Sequence, residues 1–358
     1  MYKTIRIRNF RCFEDLEVGP FTLLNIITGP NGAGKTALLE AMFVHGAADS
    51  PEAVNTLDPL RHVRTFRASA ESVWGWMFRN LELDARIELV AEFVDGTKHR
   101  VELALAPEDR YVMEIPGAED NEGSLGGPVS PDGKRKALTI KYVGPSGQER
   151  ELVLRVRGSE IVANRRPGQP LVGAFFRGAG SLAPSEQVLR LWGELEKQKR
   201  KADVISVLQT MEPRLTDLAA VPVGGSEVAI MHCELGLPQM VPLQVAGAGL
   251  CRLFSIAVQT IMTQRGVLLA DEIENGIYYE SLPQLWKALG KLAKQHEVQI
   301  FATTHSQECI IAALEGLGDE ATELVSLHRL FWRDRKVASS SYSADLIRAA
   351  VEIGLEVR

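Results

Sequence analysis

The sequence predicts an α/β fold in which a mixed central sheet is joined to an antiparallel β subdomain and a helical insertion. Three observations carry this reading. Short apolar runs end in polar residues and lead into helical spacing, two alternating stretches flank tight-turn glycines, and residues 185–218 change to a helical pattern. With 45% hydrophobic and 24% charged residues over 358 positions, the chain has the composition of a globular core and not of a disordered or fibrous protein. No apolar run approaches the roughly 20 residues of a membrane span. The opening MYKTIRIRNFRCF lacks the apolar core of a secretory signal, so a cytoplasmic location is expected. Cys12, Cys233, Cys251 and Cys309 lie far apart without a CxxC pair, which argues against a zinc site or a disulfide framework.

In chain order, Tyr2 to Asn9 alternates Ile5 and Ile7 with Lys3, Arg6 and Arg8, the period of a half-buried strand. Phe21 to Thr28 is nearly continuous apolar sequence, as a central strand covered on both faces requires. A glycine-rich loop follows, and from Thr36 the spacing is helical, with Leu38, Leu39, Met42 and Phe43 available to one buried side. Residues 86–105 alternate around Asp95-Gly96, and 137–157 around Gly144 to Gly147, two hairpins that suggest a β subdomain at about 86–160. Between them, 116–136 is rich in Gly, Pro, Asp, Glu and Ser and reads as a surface loop. Residues 181–220 read as an inserted helical arm. Its basic run Lys197, Lys199, Arg200, Lys201 is read first as a solvated helix surface and second as a nucleic-acid contact. After a further hairpin come an apolar helix at 249–263, a buried strand at 267–270, a helix from about 282 to 295 and a core strand at 298–303.

The sharpest motif is Gly29-Pro30-Asn31-Gly32-Ala33-Gly34-Lys35-Thr36, which fills every position of GxxxxGK[ST] between an apolar strand and a helix. Its glycines let backbone N–H groups turn toward phosphates, Lys35 brings positive charge to the β and γ groups, and Thr36 offers a hydroxyl to Mg²⁺. A second constellation follows Val267 to Ala270. Asp271 is placed to hold the metal and Glu272 to orient or deprotonate the attacking water. An isolated acidic pair is as readily a helix N-terminus favoured by the dipole, but the P-loop shifts the balance. Glu274 is a competing acid, read as structural or as part of a subunit contact. His305, ending the next apolar strand after Thr303-Thr304, is placed to hydrogen-bond the γ-phosphate or the water. No serine-protease, thiol-protease or glycosidase cluster of comparable quality is present. With 40 basic against 46 acidic residues the net charge is −6, so any contact with a polyanion needs a local patch.

IRIRNFRCFEDLEV before the P-loop, LLADEIENGI and FATTHSQECI together resemble ABC-type ATPases of the RecF/SMC group. They resemble more closely the compact AAA-family ATPases related to the overcoming-lysogenization-defect (OLD) family. The resemblance implies a P-loop NTPase of ABC-ATPase head type over residues 1–358, with ATP and Mg²⁺ as cofactors. It further implies an ATP-dependent homodimer in which a signature loop of one subunit caps the γ-phosphate bound by the other. The matching segment is Gln244 to Gly249, with Gly247 and Gly249 approaching the nucleotide. It departs from the usual pattern at Val245, where a serine is common, and at Ala248, where a polar residue is common. Tyr278 stands where relatives often carry histidine, and no Q-loop glutamine is identified. The 181–220 insert is too short for an SMC-type coiled-coil arm, and no Toprim-type nuclease follows the ATPase core. The expected role is therefore an ATP-hydrolysing switch that acts with DNA or an effector protein in trans, such as a nuclease, in DNA repair or anti-phage defence. The alternatives are a nucleotide-dependent scaffold with little hydrolysis and, less favoured, a transporter's nucleotide-binding subunit.

Overall fold

The computed structural model describes residues 1–48, 69–108, 135–157, 160–164, 174–177, 184–222, 229–263 and 265–356. Of the expected surface loop at 116–136, all but the last two residues lie outside this set. The chain opens with strands β1 (Tyr2–Phe10), β2 (Phe13–Val18) and β3 (Leu24–Thr28). It continues through β4 (Ile87–Phe93), β5 (Lys98–Pro107), β6 (Lys136–Val143), β7 (Glu149–Arg157), β8 (Glu160–Ala163) and β9 (Ala174–Arg177). β10 (Asp217–Pro222), β11 (Ala229–Glu234) and β12 (Val241–Pro242) follow, and β13 (Val267–Ala270), β14 (Gln299–Thr303), β15 (Val325–Arg333) and β16 (Lys336–Ser343) complete the set.

The strands form three sheets. The central one has the order β16-β15-β3-β14-β13-β9, parallel except for β16. An antiparallel sheet runs β2-β1-β4-β5-β6-β7-β8, and a small one runs β10-β11-β12. The two expected hairpins are therefore not a separate unit, because β4 pairs with β1 and makes them continuous with the N-terminal hairpin. The alternation of Ile87, Leu89 and Ala91 with polar neighbours matches that of Ile5 and Ile7, so both strands bury the same face. On the outer face, Lys3 pairs with Glu92, Arg6 with Asp15 and Arg8 with Glu88 at 2.6–2.7 Å. The basic residues of β1 are thus neutralised in place.

The central sheet is covered on both sides. Along β13, Leu268 and Ala270 face one core and Val267 and Leu269 the other, which is why the strand reads as continuously apolar. One core lies against the helices Leu282–His296, Gln307–Leu317 and Ala248–Thr263; the other lies between the central and antiparallel sheets. The helix Lys35–Gly46 occupies this second space, and eleven of its twelve residues are buried. The sequence suggests a single buried side for it, but a helix enclosed between two sheets has no solvent face to reserve for polar residues.

The expected helical arm folds differently as well. It forms two short helices, Glu186–Lys197 and Lys201–Leu208, whose Val188, Trp192, Leu195, Val204 and Val207 join the core beside Phe254. Asp217 onward is strand β10. An apolar stripe on each helix is the reason they lie down on the domain and do not project. In the basic run, Lys197 pairs with Glu194, Arg200 with Asp203 and Lys201 with Asp217, in keeping with a solvated helix surface.

Candidate functional site

β3 ends at Thr28, and Gly29 to Gly34 turn the chain into the enclosed helix at Lys35. Gly29 (φ 138°) and Gly34 (φ 95°) adopt backbone conformations that L side chains rarely enter. Both are also pressed by neighbours: a Cβ at Gly29 would lie 2.1 Å from the Leu330 carbonyl, and one at Gly34 would lie 2.6 Å from Cys12 Sγ. Pro30, Asn31 and Gly32 are exposed at the crest, and Ala33 is buried with its N–H donating to the Pro30 carbonyl at 3.2 Å. Lys35 folds back so that Nζ donates to the carbonyls of Gly29 (2.8 Å) and Pro30 (3.2 Å). Burial holds its ammonium below the usual lysine range, with Asp271 pulling the other way. Such a desolvated cation gains most from an arriving polyanion.

Thr36, on the first turn, donates from Oγ1 to Asp271 Oδ2 at 2.9 Å. Asp271 follows β13 directly, and its second oxygen accepts from Thr303 Oγ1 at 2.6 Å. The same threonine oxygen accepts the Glu272 backbone N–H at 2.8 Å. Glu272 has φ 46°, a left-handed conformation that costs a non-glycine residue free energy and so requires a fixed environment. Arg252, 1% exposed, supplies more of it by donating to the Asp271 carbonyl at 2.5 Å and to the Asn275 carbonyl at 3.4 Å. Glu274 Oε1 accepts the His305 backbone N–H at 2.9 Å, so this acid ties the two strand ends together.

A cleft of about 300 Å³ gathers Asn31, Gly32, Gly34, Lys35, Thr36, Asp271, Glu272 and His305 together with Arg11 and Cys12. A second, of about 420 Å³, lies across Gly29, Pro30 and Asn31 and reaches His305 and Arg329. Gly247 and Gly249 line neither. Gly247 (φ 137°) separates the short helix Leu243–Ala246 from the helix Ala248–Thr263, and Val245 beside it is 74% exposed. An added Cβ at Gly249 would press on Met211 and Ile277 of the same chain, at 3.2 and 3.3 Å. Thr303, Arg252 and Arg11 are site residues that sequence reasoning missed. The repeated threonine before His305 and a lone arginine in an apolar helix were the signals available for the first two.

Thr36 and Asp271 present two hard oxygen donors side by side, a set that suits Mg²⁺, which binds few protein ligands and keeps water and phosphate oxygens for the rest.

Strand-end acids, a phosphate-binding loop and a parallel sheet between two cores define a P-loop ATPase built as an ABC-type head. The profile of the AAA domain family matches residues 4–53 and that of the AAA ATPase domain family matches residues 205–310. An ATP/GTP phosphatase of Helicobacter pylori is 25% identical over 335 residues, covering 87% of this chain and 86% of that protein. The DNA replication and repair protein RecF of Idiomarina loihiensis is 46% identical over 44 residues, and an OLD nuclease of Thermus scotoductus is 50% identical over 42. Each of these covers 12% of this chain, and the chain spans only 12% and 8% of those two proteins. Among solved structures, an SMC head bound to the C-terminal winged-helix domain of ScpA aligns with a TM-score of 0.51 at 13% identity, over 97% of this chain and 99% of that one. The chain is similar to AAA-family ATPases of the ABC-type RecF/SMC kind.

Proposed function

We propose that the protein binds Mg²⁺–ATP at the P-loop, hydrolyses it with Glu272 as the base, and couples turnover to head-to-tail dimerisation. The observation that carries the catalytic part is the convergence of Thr36, Asp271, Thr303 and Glu272 through three hydrogen bonds of 2.6–2.9 Å. Lys35 binds and neutralises the β and γ phosphates. Thr36 and Asp271 hold the metal, which when bound neutralises charge developing on the phosphate oxygens. Glu272 orients water and takes its proton, and His305 donates a hydrogen bond at the γ-phosphate end of the cleft.

Dimerisation is supported by what the single chain lacks. Gly247 and Gly249 are outside the cleft, and the loop that carries them is exposed at Val245, which supports the reading that a second copy brings it to the phosphate. The role proposed for the switch is in the cytoplasm, acting with DNA or a partner effector in repair or defence. The test is mass by light scattering with and without Mg²⁺–ATP. Glu272→Gln should bind ATP, turn it over at least about a hundredfold more slowly, and accumulate as a dimer. Adding Val245→Glu, at an exposed position where the fold is indifferent, should disperse that dimer by setting a carboxylate against the phosphate. A monomer in both states, or a dimer insensitive to Val245→Glu, would move the active site into one chain. Acceleration of turnover by DNA would separate the repair or defence role from that of a passive scaffold.

A further inference from the structure

One side chain that lines the cleft beside the P-loop is held by several contacts. Arg11, at the turn between β1 and β2, has φ 49°, and its N–H donates to the Met77 carbonyl at 2.8 Å. A non-glycine residue enters that conformation at a cost, so the surroundings must hold it there. The turn packs directly on the nucleotide loop, since Cys12 and Phe13 fill the space that a side chain at Gly34 would need.

The guanidinium is fixed on one face and along one edge. One face lies over the Trp76 ring, 4.3 Å from its centroid. Nη2 donates to Glu40 Oε1 at 3.0 Å, and Nε lies 3.0 Å from Glu40 Oε2. Trp76 is itself fixed, since Nε1 donates to the Val73 carbonyl at 2.6 Å. Glu40, one helical turn beyond Thr36, is buried and cannot leave with the arginine.

These contacts decide what Arg11 offers a ligand. Its charge is already matched by Glu40, and Lys35 with the P-loop amides serves the phosphates. Arg11 also lines the cleft, and a planar cation with one face backed by an indole leaves its other face able to take a flat aromatic ring as a third layer. We propose that Arg11, shelved on Trp76 and clamped by Glu40, is the base-stacking platform of the nucleotide site and selects purine over pyrimidine triphosphates without separating adenine from guanine. A stack reads ring area and not the hydrogen-bonding edge, and both purines present the same two-ring surface. This inference rests on the P-loop binding the triphosphate, as proposed above.

The test is calorimetric binding of ATP, GTP, CTP and inorganic tripolyphosphate to the full chain in the Glu272→Gln background, at about pH 8 so that Glu40 is ionised. ATP and GTP should bind within about threefold of each other, and CTP more weakly. Arg11→Lys, which keeps the charge and loses the plane, and Trp76→Leu, which removes the shelf, should each weaken ATP and GTP by about tenfold. Both should leave tripolyphosphate unchanged, which also shows that the cleft is still folded. Wild-type affinity for ATP in Arg11→Lys, or a parallel loss of tripolyphosphate, would overturn the platform and make Arg11 a phosphate ligand. Survival of ATP and tripolyphosphate binding in Lys35→Ala would overturn the P-loop reading instead.

Discussion

Thr303 is the residue on which the catalytic geometry turns, and its hydroxyl can be removed with little change of shape. In Thr303→Val a methyl replaces Oγ1, and two groups lose their partner together: the buried Asp271 Oδ1, at 2.6 Å, and the part-buried Glu272 N–H, at 2.8 Å. Thr303 is 0% exposed and Asp271 7%, so water does not substitute readily. Each polar group left unsatisfied away from water costs about 1–3 kcal/mol, which makes roughly 2–6 kcal/mol of lost stability at most for the pair. Glu272 also loses the bond that holds its left-handed backbone, and a carboxylate displaced by about 1 Å costs on the order of a hundredfold in rate. The expected outcome is a lower urea midpoint and a fall in kcat for ATP, with KM nearly unchanged because the P-loop is untouched. Thr303→Ser should restore both. The assays are urea unfolding followed by circular dichroism and steady-state phosphate release. An unchanged kcat in a destabilised Thr303→Val protein would refute the positioning argument and leave Thr303 a packing residue.

Two further outcomes follow from charges beside the cleft. Lys35→Met keeps the stem of the side chain and removes the ammonium held over Gly29 and Pro30, so Mg²⁺–ATP affinity should fall by about a hundredfold or more, the scale of losing one partner of a buried charge pair; calorimetry on the purified variant checks it. Burial raises the Glu40 carboxyl to about 7 from 4.5, with Arg11 opposing and losing. The folded state then holds this proton more tightly than the unfolded one, so its contribution is fully present below about pH 4.5 and is lost as pH rises toward about 7, by about 3 kcal/mol. In Glu40→Gln the urea midpoint should change less between about pH 5 and 8 than in the parent, and an identical pH dependence would place the titration elsewhere.

The P-loop, the two acids and His305 were legible because their chemistry is carried by residue type at fixed spacing, and the strands before them announce themselves as apolar runs. β13 was legible to the residue, since both of its faces are covered and every position is apolar. β9, by contrast, pairs parallel to β13 but is only four residues long, too short for any periodicity. The union of the hairpins with β1 into one sheet depends on pairing across about 80 residues, which no local pattern records. The helical insertion was legible as helix, but its packing against the domain was not, for a related reason. Amphipathic spacing says that a helix has a partner, but the partner here is the helix Ala248–Thr263, some 50 residues on.

Two of the site residues that escaped the sequence, Thr303 and Arg252, hold main-chain atoms, and this explains both why they were missed and what they do. Thr303 holds a backbone N–H, and Arg252 holds the carbonyls of Asp271 and Asn275, so neither resembles a catalytic residue by type. Arg252 lies three residues after Gly249 on the helix that opens at the signature loop. A buried guanidinium gripping two carbonyls is stiff, and burial already disfavours its charge, so it will not readily exchange these partners for others. The helix that would meet the partner's γ-phosphate is thereby joined through one side chain to the backbone that aims Asp271 and Glu272 in its own cleft. If the dimer forms head to tail, a displacement of the signature helix on engaging one nucleotide must strain or shift the acid loop facing the other. The two sites are then coupled by a path of two hydrogen bonds within each chain, with no need for a long-range rearrangement of the sheets.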